Sequence, residues 1–98
     1  MRLSVSKNQN RFADVFCDDA RKAKKQLLKN SVTQLYVDHY LVGRENGHQL
    51  LTWALQQQLM PLYVVVTERQ LQKRQAMIHL LEANGYRSAD GINFIKYH

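Results

Sequence analysis

The sequence predicts an α/β three-layer sandwich: a mostly parallel sheet of about five strands with three helices. Three observations carry that prediction. Short alternating or β-branched runs take turns with amphipathic stretches along the whole chain. Those amphipathic stretches are long enough to act as crossovers between parallel strands. The 98 residues, 45% hydrophobic and 22% charged, suit one globular domain over residues 1–98 rather than two.

Arg2-Leu3-Ser4-Val5-Ser6 alternates polar with apolar, as a short strand does. Lys7 to Arg11 is polar and reads as a loop, and Ala13 to Cys17 reads as a second strand. Asp18-Asp19 then supplies a helix N-cap. The helix that follows buries Ala20, Ala23, Leu27 and also Leu28, and Asn30-Ser31 breaks it. Leu35-Tyr36-Val37-Asp38 is the third strand. His39 to Asn46 is loop, punctuated by Gly43 and closed by Asn46 as a cap.

From Gly47 to about Leu59, an apolar stripe of Leu50, Leu51, Ala54 and Leu55 marks a second helix, which Pro61 ends. Leu62 to Thr67 is β-branched and continuous, the pattern of a strand buried on both faces. A third helix runs from Glu68 to about Asn84 with Met77, Leu80 and Leu81 inward and Gly85 as C-cap. Ile92 to Tyr97 finishes the chain as a strand. One joint strains the scheme. The first two strands are linked by fewer residues than a parallel crossover needs, so either the link is a tight loop or the pair is an antiparallel hairpin.

Composition excludes several classes. No apolar run approaches the roughly 20 residues of a membrane-spanning helix, and Met1 to Val5 lacks the apolar stretch of a signal peptide. A single cysteine, Cys17, leaves no internal disulfide and no cysteine-rich zinc site, and suggests a cytoplasmic location. Fourteen Lys+Arg against eight Asp+Glu give +6, a balance that attracts phosphates, nucleic acid or an acidic partner. Arg21, Lys22, Lys25 and Lys29 concentrate on the first helix as a candidate nucleic-acid-binding face, although charge runs on helices are usually only solvated faces.

In open α/β sheets, ligands bind beyond the carboxyl ends of the strands. Asp38 stands there, the first charged residue after four strand positions; a capping or turn aspartate is the other reading. His39 follows it, with an ordinary pKa suited to general acid or base work. Thr67, Arg69 and Lys96 are the candidate phosphate-binding groups, and Asp38 is the candidate metal ligand. His48, His79 and His98 form no metal signature.

Asp38, Thr67 and Lys96 match in type and order the aspartate, hydroxyl and lysine of receiver domains, which are flavodoxin-like. The run Leu35-Tyr36-Val37-Asp38-His39-Tyr40-Leu41, then Glu45-Asn46-Gly47, then Leu50-Leu51-Thr52-Trp53 resembles the cyclic-phosphate processing receiver domain family. Members look like a strand ending in Asp-His-Asp-Leu, then Glu-x-Gly and a Leu-Leu-x-Trp helix. Arg74, Met77, Leu80 and Gly85-Tyr86 extend the similarity. The resemblance implies a phosphate-directed pocket for cyclic-phosphate ends of nucleotides or RNA, with Mg²⁺ held by an acidic pair after the first strand.

Here that pair is replaced by Ser6-Lys7-Asn8, and the second aspartate of Asp-His-Asp is Tyr40. With Asp38 alone the pull on Mg²⁺ drops, since that ion takes one or two carboxylates plus a phosphate. Lys96 or Lys7 would instead neutralise Asp38. Asp18-Asp19 offers another acidic strand end but reads better as a helix cap. The expected function is a degenerate receiver-like module that binds a phosphate-containing ligand or a protein partner. The alternatives are a metal-assisted hydrolase of cyclic-phosphate ends, with Asp38 and His39 catalytic, and a basic nucleic-acid-binding module.

Overall fold

The computed structural model describes residues 1–8 and 13–97; most of the loop expected over Lys7 to Arg11 lies outside them, as does His98. The chain runs β1 (Arg2–Val5), β2 (Val15–Cys17), α1 (Ala20–Lys29), β3 (Gln34–Val37), α2 (Gly47–Gln56), β4 (Tyr63–Val66), α3 (Leu71–Ala83), β5 (Tyr86–Arg87) and β6 (Asn93–Lys96). Local chemistry sets the helix ends. Asp19 caps α1 by accepting from the Lys22 N–H at 2.7 Å. Asn46 and Gln49 form a reciprocal capping box on α2, at 2.8 and 2.9 Å. Gln70 accepts from the Lys73 N–H to start α3, three residues later than the sequence suggests.

The strands form one six-stranded sheet in the order β2-β1-β3-β4-β6-β5. The first four are mutually parallel, so the short link over residues 6–14 joins parallel neighbours and is no hairpin. A fully extended link of that length reaches farther than three strand residues span, so no helix is required. The far side of the sheet departs from expectation. β6 pairs antiparallel with both β4 and β5, which makes the sheet mixed. Too few residues separate Arg87 from Asn93 for a parallel crossover. Instead the Asp90 carboxylate accepts from the Ile92 and Asn93 amides, each at 2.8 Å, and Gly91 at φ +73° completes a tight reversal.

The layering also differs. α1 packs on β1, β2 and α2, while α2 packs on α3, which touches β4 and β5. Helices on opposite faces of a sheet could not touch, so all three lie on one face: two layers, not three. Topology gives the reason. From β2 onward the chain steps steadily across the sheet through β3 and β4, and crossovers of one hand in one direction stay on one side.

The helical face holds the core. Leu3, Leu35, Val64 and Phe94 form one buried row, with Val5, Val37 and Val66 above it. Ala20, Ala23 and Leu27 of α1, Leu50, Leu51 and Ala54 of α2, and Met77 and Leu81 of α3 pack on them, with Leu80 at the edge. Leu28, expected inward, is 64% exposed, because it lies beyond the stripe that Ala20, Ala23 and Leu27 define. Tyr86 is buried and donates to the Pro61 carbonyl at 2.5 Å. No described helix is long and apolar enough to cross a membrane.

Candidate functional site

Ser6, Asp38 and Thr67 each follow directly on a strand, and their strands β1, β3 and β4 are neighbours. Backbone pairing continues past the strand ends: the Asp38 N–H reaches Val5 O and the Thr67 N–H reaches Val37 O, both at 3.0 Å. The three side chains therefore emerge at one level. The Ser6 hydroxyl donates to one carboxylate oxygen of Asp38 and the Thr67 hydroxyl to the other. The Asn8 N–H in turn donates to Ser6 Oγ at 3.0 Å. Between β1 and β3 the chain reverses its direction of travel across the sheet, the place where open α/β sheets form crevices.

A second carboxylate stands beside this trio. Glu68 accepts from the His39 N–H at 2.9 Å, from Arg69 at 3.1 Å, from Gln70 at 2.9 Å and from the Tyr40 amide. Burial alone would raise its pKa; these amide donors together outweigh that and hold it below the ordinary value. Glu68 is thus a clasp between the β3–α2 and β4–α3 loops. Gly47 closes the same corner. Its N–H donates to His39 O at 2.7 Å, and a Cβ there would lie 1.8 Å from the Asp38 carbonyl oxygen. Only glycine lets the start of α2 come so close.

His39 is buried at 9% exposure, its ring edge-on to Tyr40 and its Nδ1 without a hydrogen-bond partner among the described residues. Burial, then the charge of Lys73, pushes its pKa below the ordinary value, with Glu68 opposing and His48 adding a little. Both Asp38 oxygens are engaged by hydroxyls, so adjacency in sequence does not make an Asp-His dyad. The charges that act on the His39 ring are instead those of Lys73 on α3, Glu68 and His48 on α2.

The other expected residues scatter. Lys96 is carried to the opposite end of the sheet, where its N–H bonds Leu62 O at 3.0 Å, because β6 runs against β4. It cannot neutralise Asp38. Arg69 is exposed on the loop after Thr67, close to the rim. On α1, Arg21, Lys25 and Lys29 form an exposed row four residues apart, while Lys22 pairs with Asp18 at 3.1 Å. Lys24 pairs with Glu45 at 2.7 Å and lies over Trp53. Asp19 is the cap, while the Asp18 carboxylate pairs with Lys22 and its carbonyl accepts from the Val42 N–H at 2.8 Å.

The sequence places Ser6 and Glu68 at strand ends but gives neither a role in the site. Ser6 had a signal, since it follows its strand as Asp38 follows β3. Glu68 had only its place after Thr67. Among the described residues no group of three His, Cys, Asp or Glu could hold a metal ion. One carboxylate bound by two hydroxyls and another clasped by amides do not fit Mg²⁺. No known family matches the chain, and no curated protein or solved structure matches it.

Proposed function

We propose that this protein is a degenerate receiver-like module that binds a phosphate-bearing ligand at the Asp38 rim and acts by binding or regulation. The observation that carries this reading is the pair of hydroxyls, Ser6 and Thr67, on Asp38. They stand where a second carboxylate would be needed to recruit a divalent cation. The order β2-β1-β3-β4 supports the receiver resemblance, with Asp38 after the central parallel strand. Lys7, Arg69 and Lys73 form no ion pair among the described residues, so they leave positive potential around the rim.

Backbone NMR titration tests the reading. Inorganic phosphate or a nucleoside monophosphate is expected to shift the amides of Asp38, Thr67 and Arg69, whereas Mg²⁺ alone leaves them in place. Strong local shifts with Mg²⁺, together with turnover of 2′,3′-cyclic nucleotides lost in Asp38→Ala, would put the hydrolase in its place.

A further inference from the structure

The face of the sheet opposite the helices is buried at Ser4 and Val65 but exposed towards β6 and β5, where its side chains are aromatic and polar. Alternation along the strands places Arg2, Gln34, Tyr63, Ile95 and Arg87 in one row across it, and Phe16, Ser4, Tyr36, Val65 and Asn93 in the next. None of the three helices covers this face. Tyr63 is 47% exposed, Ile95 42% and Tyr97 62%. Beside them, the β5–β6 hairpin encloses a depression of about 430 Å³ lined by Arg87, Asp90, Asn93, Ile95 and Tyr97.

Charge on this half of the face favours a polyanion. The Arg87 guanidinium donates only to backbone carbonyls, Tyr86 O at 3.0 Å and Glu82 O at 3.3 Å, and has no carboxylate partner among the described residues. Asp90 is the one acidic group in the depression. Its oxygens accept from the Ile92 and Asn93 amides, the Asn93 side chain and the Ser88 hydroxyl, which hold its pKa far below the ordinary value. These donors keep Asp90 ionised but turn both its oxygens into the hairpin, so among the described residues it does not pair with Arg87. The whole chain carries +6.

The geometry points to a binding surface for single-stranded nucleic acid: bases stack on Tyr63 and Tyr97, and Arg87 meets a backbone phosphate. A sheet presenting aromatic rings between cations recognises unpaired bases because every base has a stackable face, whereas duplex bases have none to offer. An aromatic surface with neighbouring cations distinguishes this site from the α1 row, which has cations and no aromatic ring. It also lies apart from the Asp38 rim, so it stands or falls independently of the phosphate-binding reading.

Fluorescence anisotropy of the full chain with labelled oligouridine and oligodeoxythymidine of about ten nucleotides tests it. Saturable binding to either is expected, and whichever binds more tightly identifies RNA or DNA as the source. Tyr63→Ala should weaken it about 5- to 100-fold, the worth of one stacked base, while Tyr63→Phe retains it. Arg87→Gln should lower the salt slope by about 0.7, the value for one single-strand phosphate. Three results would overturn the proposal. These are no saturable binding at low salt, binding lost on neutralising Arg21, Lys25 and Lys29 but unchanged in Tyr63→Ala, and a dimer in sedimentation that Tyr63→Ala dissolves. The last would make a second copy the occupant.

Discussion

Replacing Gly47 by alanine probes the corner on which the rim is built. The new Cβ would meet the Asp38 carbonyl oxygen at 1.8 Å and its carbon at 2.8 Å, both backbone atoms. A comfortable carbon–oxygen contact is about 3.3 Å, so the loop and the start of α2 must separate by about 1.5 Å. Forced separation of packed backbone costs about 1–3 kcal/mol. The Gly47 N–H to His39 O bond, 2.7 Å long, is lost with it, at about 1 kcal/mol more. Better helix propensity returns about 0.5 kcal/mol or somewhat more. The net is a loss of about 1.5–3.5 kcal/mol.

With a urea slope of about 1 kcal/mol/M for so small a chain, the midpoint should fall by about 1.5–3.5 M. The one tryptophan, Trp53, sits on α2 and reports the transition by fluorescence. Gly43→Ala is the control. Gly43 has φ +90° but nothing within 4 Å of an added Cβ, so only backbone strain of about 1–2 kcal/mol applies. Gly47→Ala unfolding within about 0.5 kcal/mol of the parent, inside ordinary surface-mutation scatter, would refute the close-approach argument.

Three further outcomes follow from the geometry. Because His39 has a depressed pKa when folded, its contribution is complete above the unfolded value of about 6.5 and declines as pH falls through the folded value. Urea midpoints from pH 7.5 to 5 should show that decline, and His39→Gln should lessen it; an unchanged slope in the variant would contradict the burial argument. Tyr86→Phe leaves the Pro61 carbonyl without its buried donor and should cost about 1–2 kcal/mol by thermal or urea unfolding. In the parent protein the buried Tyr86 phenol should resist ionisation until pH is near 12, where burial places it, as ultraviolet titration would show. Thr67→Val removes one donor from Asp38 and should cost about 1–2 kcal/mol, with Thr67→Ser restoring most of it; equal stability of Val and Ser variants would argue against that hydrogen bond.

Short-range chemistry was legible from the residues alone. The Asp19 cap, the Asn46 capping box and the Gly85 helix end follow from local hydrogen bonding and backbone freedom, which neighbours in sequence settle. The inward residues of β1 follow from period-two alternation, whereas the continuous run Leu62 to Thr67, expected to be buried on both faces, exposes Leu62 and Tyr63 because no helix covers the second face. Asp38 and Thr67 could be brought together from sequence because parallel strands end on one side. That same rule failed for Lys96. A two-residue strand at Tyr86–Arg87 is too short to show a pattern, and it is what turns β6 around.

Alternation along β3 and β4 determined which side chains share a face, but not whether a helix would lie on that face. Crossover direction decided it, and direction depends on which strands become neighbours, a property of the whole sheet. The same holds for Asp38 and His39. Consecutive residues at a strand end point to different sides, so adjacency in the chain put Asp38 among hydroxyls and His39 in a buried position beside the Tyr40 ring.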